Sequence, residues 1–371
     1  MKETKESRIY KLNSYPPITE WLRRLRLPRR FSLIKEDNSK RHRLDALHDI
    51  IDIPYQMPEK MMASDIINQT PIFLDAMEIM GDQECMLRLV PKGVNLPKYR
   101  IKGKTFRESI KWFYKKKVDP KKYWIEIVHR EKTVPLSCIF IINEDGIWGE
   151  INRGRLRHLC EGAPRLSPVY FSYDYKYWTF SIINKRIERI VKCAIASLHT
   201  KHYLKRNKLH QKIGSTFTKQ GYLKGYFEFV VSSKNKINFF DYNRQQDTTL
   251  KKFNIWQAIN HAKQISKNKY YGVCANDGLA TGIVKIISDP KNEKIGKGEI
   301  LVCKSADINY ALMMQTAKGM INEYGNILSH SSVIARELHK PLLIRVKNAT
   351  KKLKNGDKII LNATDGFVEK I

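Results

Sequence analysis

The chain has 371 residues, 42% hydrophobic and 28% charged, a balance that excludes wholesale disorder and allows two domains. Its formal net charge is +31, which favours anionic partners such as nucleotides, phosphorylated substrates, nucleic acid or an acidic membrane, although a general lysine-rich bias explains it equally well. The six cysteines lack zinc-ligand spacing, and no apolar run approaches the roughly 20 residues that span a bilayer. We therefore expect a cytoplasmic protein without a membrane span.

Residues 1–60 are interpreted as a basic amino-terminal arm. The stretch 21–30 mixes apolar and basic residues and predicts a short amphipathic helix that ends at Pro28. Such a helix either packs on the following domain, which we favour, or binds a membrane or nucleic acid.

Residues 61–250 alternate helical and strand patterns and predict a mixed α+β domain. Apolar residues at helical spacing predict a helix over 105–117, and a further helix is predicted over 182–199. Two strand patterns, 137–143 and 147–151, flank the turn Glu144-Asp145-Gly146 and predict a hairpin.

A second hairpin is predicted at the end of this domain, from strands over 225–232 and 237–242. Strand alternation puts Glu228 on one face of its strand, where Asp241 and Asn243 of the partner strand can meet it. Two carboxylates and an amide oxygen are ligands that suit Mg²⁺. The alternative is an ordinary polar face of an edge hairpin.

The region 251–270 is polar, with a short helical pattern, and is interpreted as a linker. Residues 271–371 come next as a compact β/α unit able to fold alone. Its predicted strands and helix run over 278–287, 298–302, 308–318, 358–362 and 366–369, the third of these being the helix.

The most informative stretch is 325–338, because it places His330 at or just before a helix amino terminus. Ser329 is of the residue type that caps helices, and helical character begins at Val333. Free backbone N–H groups at such an end stabilise anions, and a neutral imidazole is a competent nucleophile. The residue pattern alone also fits a histidine that merely caps a helix.

This segment resembles the mobile phosphohistidine domain of the phosphoenolpyruvate-utilising enzymes, which include pyruvate phosphate dikinase, pyruvate–water dikinase and the rifampicin phosphotransferases. The family pattern is approximately G-G-x-x-S-H-x-x-x-x-A-R-E-x-x-x-P. The residues that match it in step are Gly325, Ser329, His330, Ala335, Arg336, Glu337 and Pro341. Further matches are Gly272, Gly278, Gly282, Gly298 to Val302, Lys354 to Asp357, and Asp365 with Gly366.

The resemblance implies that His330 is the phosphorylated residue, with Ser329 beside it and Arg336 in contact with the phosphoryl group. Two departures affect the shape of the loop and leave the histidine in place. Asn326 stands where the family usually has a second glycine, and His339-Lys340 stands where it often has one.

The preceding hairpin resembles the metal-binding end of ATP-grasp domains, which phosphorylate the histidine in the dikinases. Arg244 directly follows Asn243, where the ATP-grasp pattern has a residue between them. Upstream, Arg88, Lys98 and Arg100 lie in basic strand-and-loop segments that suit ATP phosphates, although such residues are often only solvated surface. A glycine-rich P-loop is absent, which argues against a Walker-type ATPase.

The sequence thus predicts an α+β protein with an ATP-grasp-like domain followed by a swivelling phosphohistidine domain. We expect an ATP- and Mg²⁺-dependent, dikinase-like phosphotransferase that carries phosphoryl groups on His330 to an unidentified small molecule or protein. The acceptor site is expected in the amino-terminal region, at the domain interface or on a partner subunit. Two alternatives remain: a stand-alone carrier that depends on a partner kinase and, less favoured for lack of a recognised motif, a basic nucleic-acid-binding protein.

Overall fold

The computed structural model describes residues 17–25, 27–129, 134–161, 168–245 and 268–371. Within these residues the strands form sheets of four, six and eight strands, and helices lie between and around them. The predicted α+β class is therefore confirmed. The predicted linker, with its helical pattern, lies almost wholly outside the described residues.

Helices precede the first described strand: α1 (Ile18–Arg24), α2 (Arg30–Asn38) and α3 (Lys40–Ile51). Leu44, Leu47 and Ile50 recur at helical spacing on α3 and are buried in the core of the six-stranded sheet. Trp21 of α1 belongs instead to a core that it shares with the carboxy-terminal sheet. The helix predicted near residue 21 exists and ends at Arg24, and it packs against the domains rather than standing apart from them.

The four-stranded sheet is antiparallel, in the order β1-β4-β2-β3. Its strands are β1 (Glu59–Met62), β2 (Glu84–Pro91), β3 (Tyr99–Thr105) and β4 (Tyr123–His129), with helices α4 (Ala63–Asn68), α5 (Pro71–Met80) and α6 (Phe106–Lys115). The Thr105 hydroxyl caps α6 by accepting a hydrogen bond from the Glu108 N–H. Phe106, Ile110 and Phe113 form its buried face, as their spacing predicts.

The six-stranded sheet is also antiparallel, in the order β10-β9-β5-β6-β7-β8. Its strands are β5 (Leu136–Asn143), β6 (Gly146–Arg153), β7 (Val169–Tyr173), β8 (Trp178–Phe180), β9 (Gly225–Val231) and β10 (Ile237–Asn243). The helices are α7 (Arg157–Glu161), α8 (Lys185–Ala196) and α9 (Tyr203–Ile213). Both predicted hairpins, β5–β6 and β9–β10, are present.

The carboxy-terminal sheet is mixed, in the order β11-β18-β17-β13-β14-β15-β16-β12. Strands β13 to β16 run parallel to one another, and the other pairs are antiparallel. The strands are β11 (Lys269–Tyr271), β12 (Val273–Asn276), β13 (Leu279–Ile286), β14 (Glu299–Cys303), β15 (Gly319–Asn322), β16 (Leu342–Ile344), β17 (Lys358–Asn362) and β18 (Phe367–Lys370). The helices are α10 (Ala311–Thr316), α11 (His330–Glu337) and α12 (Ala349–Lys352).

One apolar core joins the two halves of the chain. It contains Trp21, Ile139 and Tyr226 from the amino-terminal half, together with Ile327 and Ile334 from the carboxy-terminal half. This shared core brings α11 against the six-stranded sheet. Among the described residues no helix combines the length and apolar character needed to cross a bilayer.

Candidate active site

The loop before α11 presents His330 as the first residue of that helix. Gly325 has a φ of 151°, and a Cβ at this position would lie 2.9 Å from the Ile344 side chain. Ser329 occupies the N-cap position, but its hydroxyl bonds to the hydroxyls of Ser331 and Ser332, each at 3.1 Å. The amino-terminal N–H groups of α11 therefore keep the polarity that favours an anion beside His330.

Arg336 is buried behind this loop. Its Nη1 donates to the carbonyl oxygens of Ala275 and Ile327, both at 2.9 Å. In this arrangement the guanidinium supports the loop that carries His330. Its contact with a phosphoryl group stays a prediction.

The loop is anchored across the domain boundary by hydrogen bonds. The N–H of Ile327 donates to Glu150 Oε1 on β6 at 2.6 Å. The Asn326 side chain donates to the Leu159 carbonyl of α7 at 2.9 Å and accepts from Arg345 at 2.7 Å. The residue that departs from the family glycine pattern is thus a docking contact.

His330 lies in a half-buried position next to charged residues of the amino-terminal half. The Trp21 ring meets its imidazole edge-on, with ring centroids 6.3 Å apart. Burial lowers the pKa of His330 to about 3, and the positive charges of Arg100 and Lys40 act in the same direction against Asp37. The imidazole is therefore neutral at pH 7, as a nitrogen nucleophile must be.

Three of the four predicted nucleotide-binding cations are brought together in one pocket. Arg88, Lys98 and Arg100 line it, along with Asp37 and Lys40. Burial lowers the pKa of Lys98 and takes that of Arg88 to about 10, so Arg88 stays cationic at pH 7. A pocket with this excess of cations suits a polyphosphate.

Arg244 lies elsewhere and is occupied by Glu36 of α2. Its backbone N–H and Nε donate to Glu36 Oε1 at 2.8 and 3.0 Å, and its Nη2 donates to Oε2 at 2.5 Å. Its Nη1 donates to the carbonyl oxygen of Ile213. The structure thus does not bring Arg244 into the pocket, and the residue fastens α2 to the end of β10.

The predicted carboxylate pair forms on the β9–β10 hairpin. Asp241 stands opposite Glu228, and Asn243 stands opposite Tyr226, so these four side chains share one face. Tyr226 donates to Glu228 Oε1 at 2.6 Å, and burial together with the charge of Asp241 raises the Glu228 pKa to about 7. The two acids are close enough to compete for ionisation.

These residues fit a divalent cation only as part of a larger ligand set. The described residues contain no group of three or more His, Cys, Asp or Glu side chains placed to hold a metal ion. Two carboxylates and the Asn243 amide are nevertheless the usual protein share of a Mg²⁺ site that phosphate oxygens complete. Asp241 has an oxygen available as a metal ligand, because its Oδ1 is buried without a hydrogen-bond partner among the described residues.

Sequence reasoning missed Asp37, Lys40 and Glu150. Asp37 and Lys40 fall in the segment interpreted as a basic arm, where a charged helix with i,i+3 pairs is ordinary surface chemistry. Glu150 alternates with apolar residues on a predicted strand, and burial raises its pKa to about 7. Because each acts through a partner distant in sequence, local spacing carries no signal for any of them.

Comparison with known proteins finds relatives of the carboxy-terminal unit. Residues 295–366 match the family described as PEP-utilising enzyme, mobile domain. The uncharacterized phosphotransferase YvkC of Bacillus subtilis is 36% identical over 112 residues, 30% of this chain and 14% of that protein. A rifampicin phosphotransferase of Bacillus cereus is 32% identical over 98 residues, 26% of this chain and 11% of that protein.

One relative extends beyond that unit. The phosphoenolpyruvate synthase of Aquifex aeolicus is 26% identical over 190 residues, which are 50% of this chain and 21% of that protein. A carboxyaminoimidazole ribonucleotide synthase solved with ATP aligns with 56% of the chain at 13% identity and a TM-score of 0.29, too low to establish a shared fold. The chain therefore spans only a small part of the length of the relatives it matches. The match of residues 295–366 to the mobile-domain family agrees with the resemblance found in the sequence.

Proposed function

We propose that this chain is an ATP-dependent, dikinase-like phosphotransferase in which His330 accepts a phosphoryl group from a nucleotide bound in the amino-terminal half. The nucleotide phosphates would lie in the pocket of Arg88, Lys98 and Arg100. The amino-terminal half would serve as an ATP-grasp-like domain, and the carboxy-terminal unit as the carrier.

The observation that supports this most strongly is the position of His330. It belongs to the mobile domain, yet the charged residues that act on it include Arg100, Asp37 and Lys40 of the amino-terminal half. A histidine that only capped its own helix would have no reason to lie within the electrostatic reach of these residues, which line the pocket. The arrangement corresponds to a carrier docked where it would be loaded.

The proposed transfer balances with ATP and water as the reactants. A ring nitrogen of neutral His330 attacks the β phosphorus of ATP, a nitrogen–phosphorus bond forms, and the bond from that phosphorus to the oxygen shared with the α phosphate breaks. The nucleotide leaves with that electron pair, and the imidazole loses its remaining N–H proton to solvent. Water then cleaves the γ phosphate as orthophosphate, which leaves one phosphoryl group on the ring. The cations of the pocket stabilise charge on the phosphate oxygens throughout.

Glu228, Asp241 and Asn243 are the residues that would hold Mg²⁺ together with phosphate oxygens. Bound there, the ion would neutralise charge on the phosphates during transfer. Tyr226 supports this set because its hydroxyl donates to Glu228 and orients that carboxylate.

The loaded domain would then leave the pocket and deliver the phosphoryl group to an acceptor, a small molecule or a protein. Departure breaks the contacts of Asn326 and Ile327 with the amino-terminal half. A partner subunit supplying the acceptor site is compatible with this scheme.

The test uses purified protein, Mg²⁺ and ATP labelled separately at the β and γ phosphates. We expect acid-labile, base-stable label on the protein from the β position, because a dikinase-like enzyme places that phosphoryl group on its histidine. The variant His330→Asn should lose the label, while His339→Asn, which changes another histidine of the same unit at a positive φ of 52°, should keep it.

The outcomes separate the alternatives. Label that persists in His330→Asn would overturn the assignment of the carrier residue. A wild-type protein that takes no label from either position would indicate a carrier that depends on a partner kinase.

A further inference from the structure

Lys40, on α3, lies inside the candidate metal site. Its ammonium nitrogen is 2.6 Å from Asp241 Oδ2 and 2.9 Å from Asp37 Oδ1. The side chain retains 16% of its exposure, so the ammonium is largely withdrawn from bulk water. Lys40 therefore joins the amino-terminal helices to the carboxylate face of the β9–β10 hairpin.

Lys40 neutralises buried carboxylates, so its loss would leave negative charge buried in the protein. Asp37 is shared, since its other oxygen accepts from Lys98 at 2.9 Å. Among the described residues Asp241 makes its ion pair with Lys40, and its second oxygen, Oδ1, is buried without a hydrogen bond. Glu228 lies opposite Asp241 on the same face. Without Lys40, Asp241 and Glu228 would be buried side by side without an ion-pair partner, although the charge of Arg43 also acts on Asp241.

A divalent ion and this ammonium cannot share Asp241 freely. A Mg²⁺ ligand oxygen lies about 2.0–2.1 Å from the metal, so an ion on Asp241 would come within a few ångströms of the ammonium and repel it. Lys40 also lines the proposed nucleotide pocket, together with Arg88, Lys98 and Arg100. Phosphate oxygens in that pocket are therefore an alternative partner for its ammonium group. A polyphosphate there would receive the ammonium once a metal had taken the carboxylate.

We propose that Lys40 is a tethered cation that competes with the divalent metal for Asp241, so that the metal site opens only when the ammonium moves to the nucleotide phosphates. This proposal rests on the metal assignment of the proposed function. Lys40 is then a specificity-determining residue. It weakens binding of the metal alone at Asp241 and permits binding of the metal together with a nucleotide. The amino-terminal helices then form part of the site.

The test measures Mn²⁺ binding to the full chain without nucleotide, by electron paramagnetic resonance of the free ion at neutral pH. We expect Lys40→Gln to bind Mn²⁺ at least tenfold more tightly than the wild type, because the competing charge is gone. Lys60→Gln is the matched control, since it removes a lysine from an ion pair with Asp45 and should bind like the wild type. Lys40→Met, which keeps much of the apolar stem, is the second variant if Lys40→Gln does not fold.

Adding Asp241→Asn to Lys40→Gln should abolish the gain and thereby locate the ion. The proposal is overturned if Mn²⁺ binds equally to wild type and Lys40→Gln, or if neither binds it. Its failure is separable from that of the proposed function. Normal phosphorylation of His330 with unchanged Mn²⁺ affinity would remove only the role of Lys40, whereas a gain in Mn²⁺ affinity without labelling would remove only the phosphoryl transfer.

Discussion

At the scale of single residues, the environment of His330 favours a nucleophile over a charged group. Burial, reinforced by Arg100 and Lys40, holds its pKa at about 3, below the ordinary value of about 6.5. A histidine with a lowered folded-state pKa contributes stability that is fully present above the unfolded pKa. That contribution is lost as the pH falls from about 6.5 towards 3.

The lowered pKa of His330 leads to a testable prediction. The His330 ring should stay neutral between pH 8 and pH 5, so its Cε1–H resonance should not shift over this range. Nuclear magnetic resonance of protein with labelled histidine checks this, and the spectrum of His330→Asn assigns the signal by difference.

A His330 resonance that titrates near pH 6.5 would contradict the docked position of the ring. It would mean that the imidazole spends most of its time in water, away from Trp21 and Arg100.

Some residues of the candidate site could be predicted from the sequence, and others could not. The place of His330 at a helix start was predictable, because a helix start, a capping residue type and a family pattern coincide within a few residues. The carboxylate pair is found because hairpin alternation fixes which side chains share a face. Lys40 and Asp37 are not found, because their partners Asp241 and Lys98 lie far along the chain and only tertiary packing brings them together.

At the scale of elements, docking depends on three pieces that meet at the 325–329 loop. Strand β6 offers Glu150, helix α7 offers backbone carbonyl oxygens, and the loop presents Asn326 and Ile327 to them. These are directional contacts, so they fix the orientation of the carrier as well as its proximity.

Replacing Asn326 by glycine, the usual family residue, should weaken docking. The change removes the hydrogen bonds to the carbonyl oxygens of His158 and Leu159 in α7, each worth about 1 kcal/mol, and a loss of about 1.4 kcal/mol corresponds to a tenfold change. We expect the single-turnover rate of His330 phosphorylation to fall about tenfold, with nucleotide affinity unchanged.

Asn348→Gly is the matched control, because Asn348 has a φ of 57° that glycine adopts without strain. Loading of Asn326→Gly at the wild-type rate would show that the loop contacts do not hold the carrier in its loading position.

Elements were predictable where local chemistry defines them. The β5–β6 hairpin is encoded in its turn, and α6 in its capping box and apolar face. Ends set by capping were less accurate: the helix predicted over 182–199 runs from Lys185 to Ala196, because the Asn184 side chain caps it. The helix predicted over 308–318 begins as a 3₁₀ turn at Ile308–Tyr310 and continues only as α10.

At the scale of the whole molecule, a shared apolar core joins the two halves. Composition and charge indicated anionic partners but carried no information on how the halves meet. The packing of α1 between them depends on Trp21 facing His330 and Arg24 facing the carbonyl oxygen of Ile308, contacts between distant parts of the chain. The carboxy-terminal unit was therefore predictable from its motifs, since residues 295–366 match the mobile-domain family, and the docked geometry was not.

The central claim is that each chain loads its own His330 from its own amino-terminal pocket, and a mixing experiment tests it most directly. One variant, His330→Asn, keeps the pocket, and the other, Lys98→Gln with Arg100→Gln, keeps the histidine. Groups joined in one chain meet at effective concentrations near the millimolar range, so at micromolar protein the mixture should accumulate label roughly 100-fold more slowly than the wild type, or slower still. Labelling of the mixture at the wild-type rate, with neither variant labelled alone, would contradict loading in the docked arrangement.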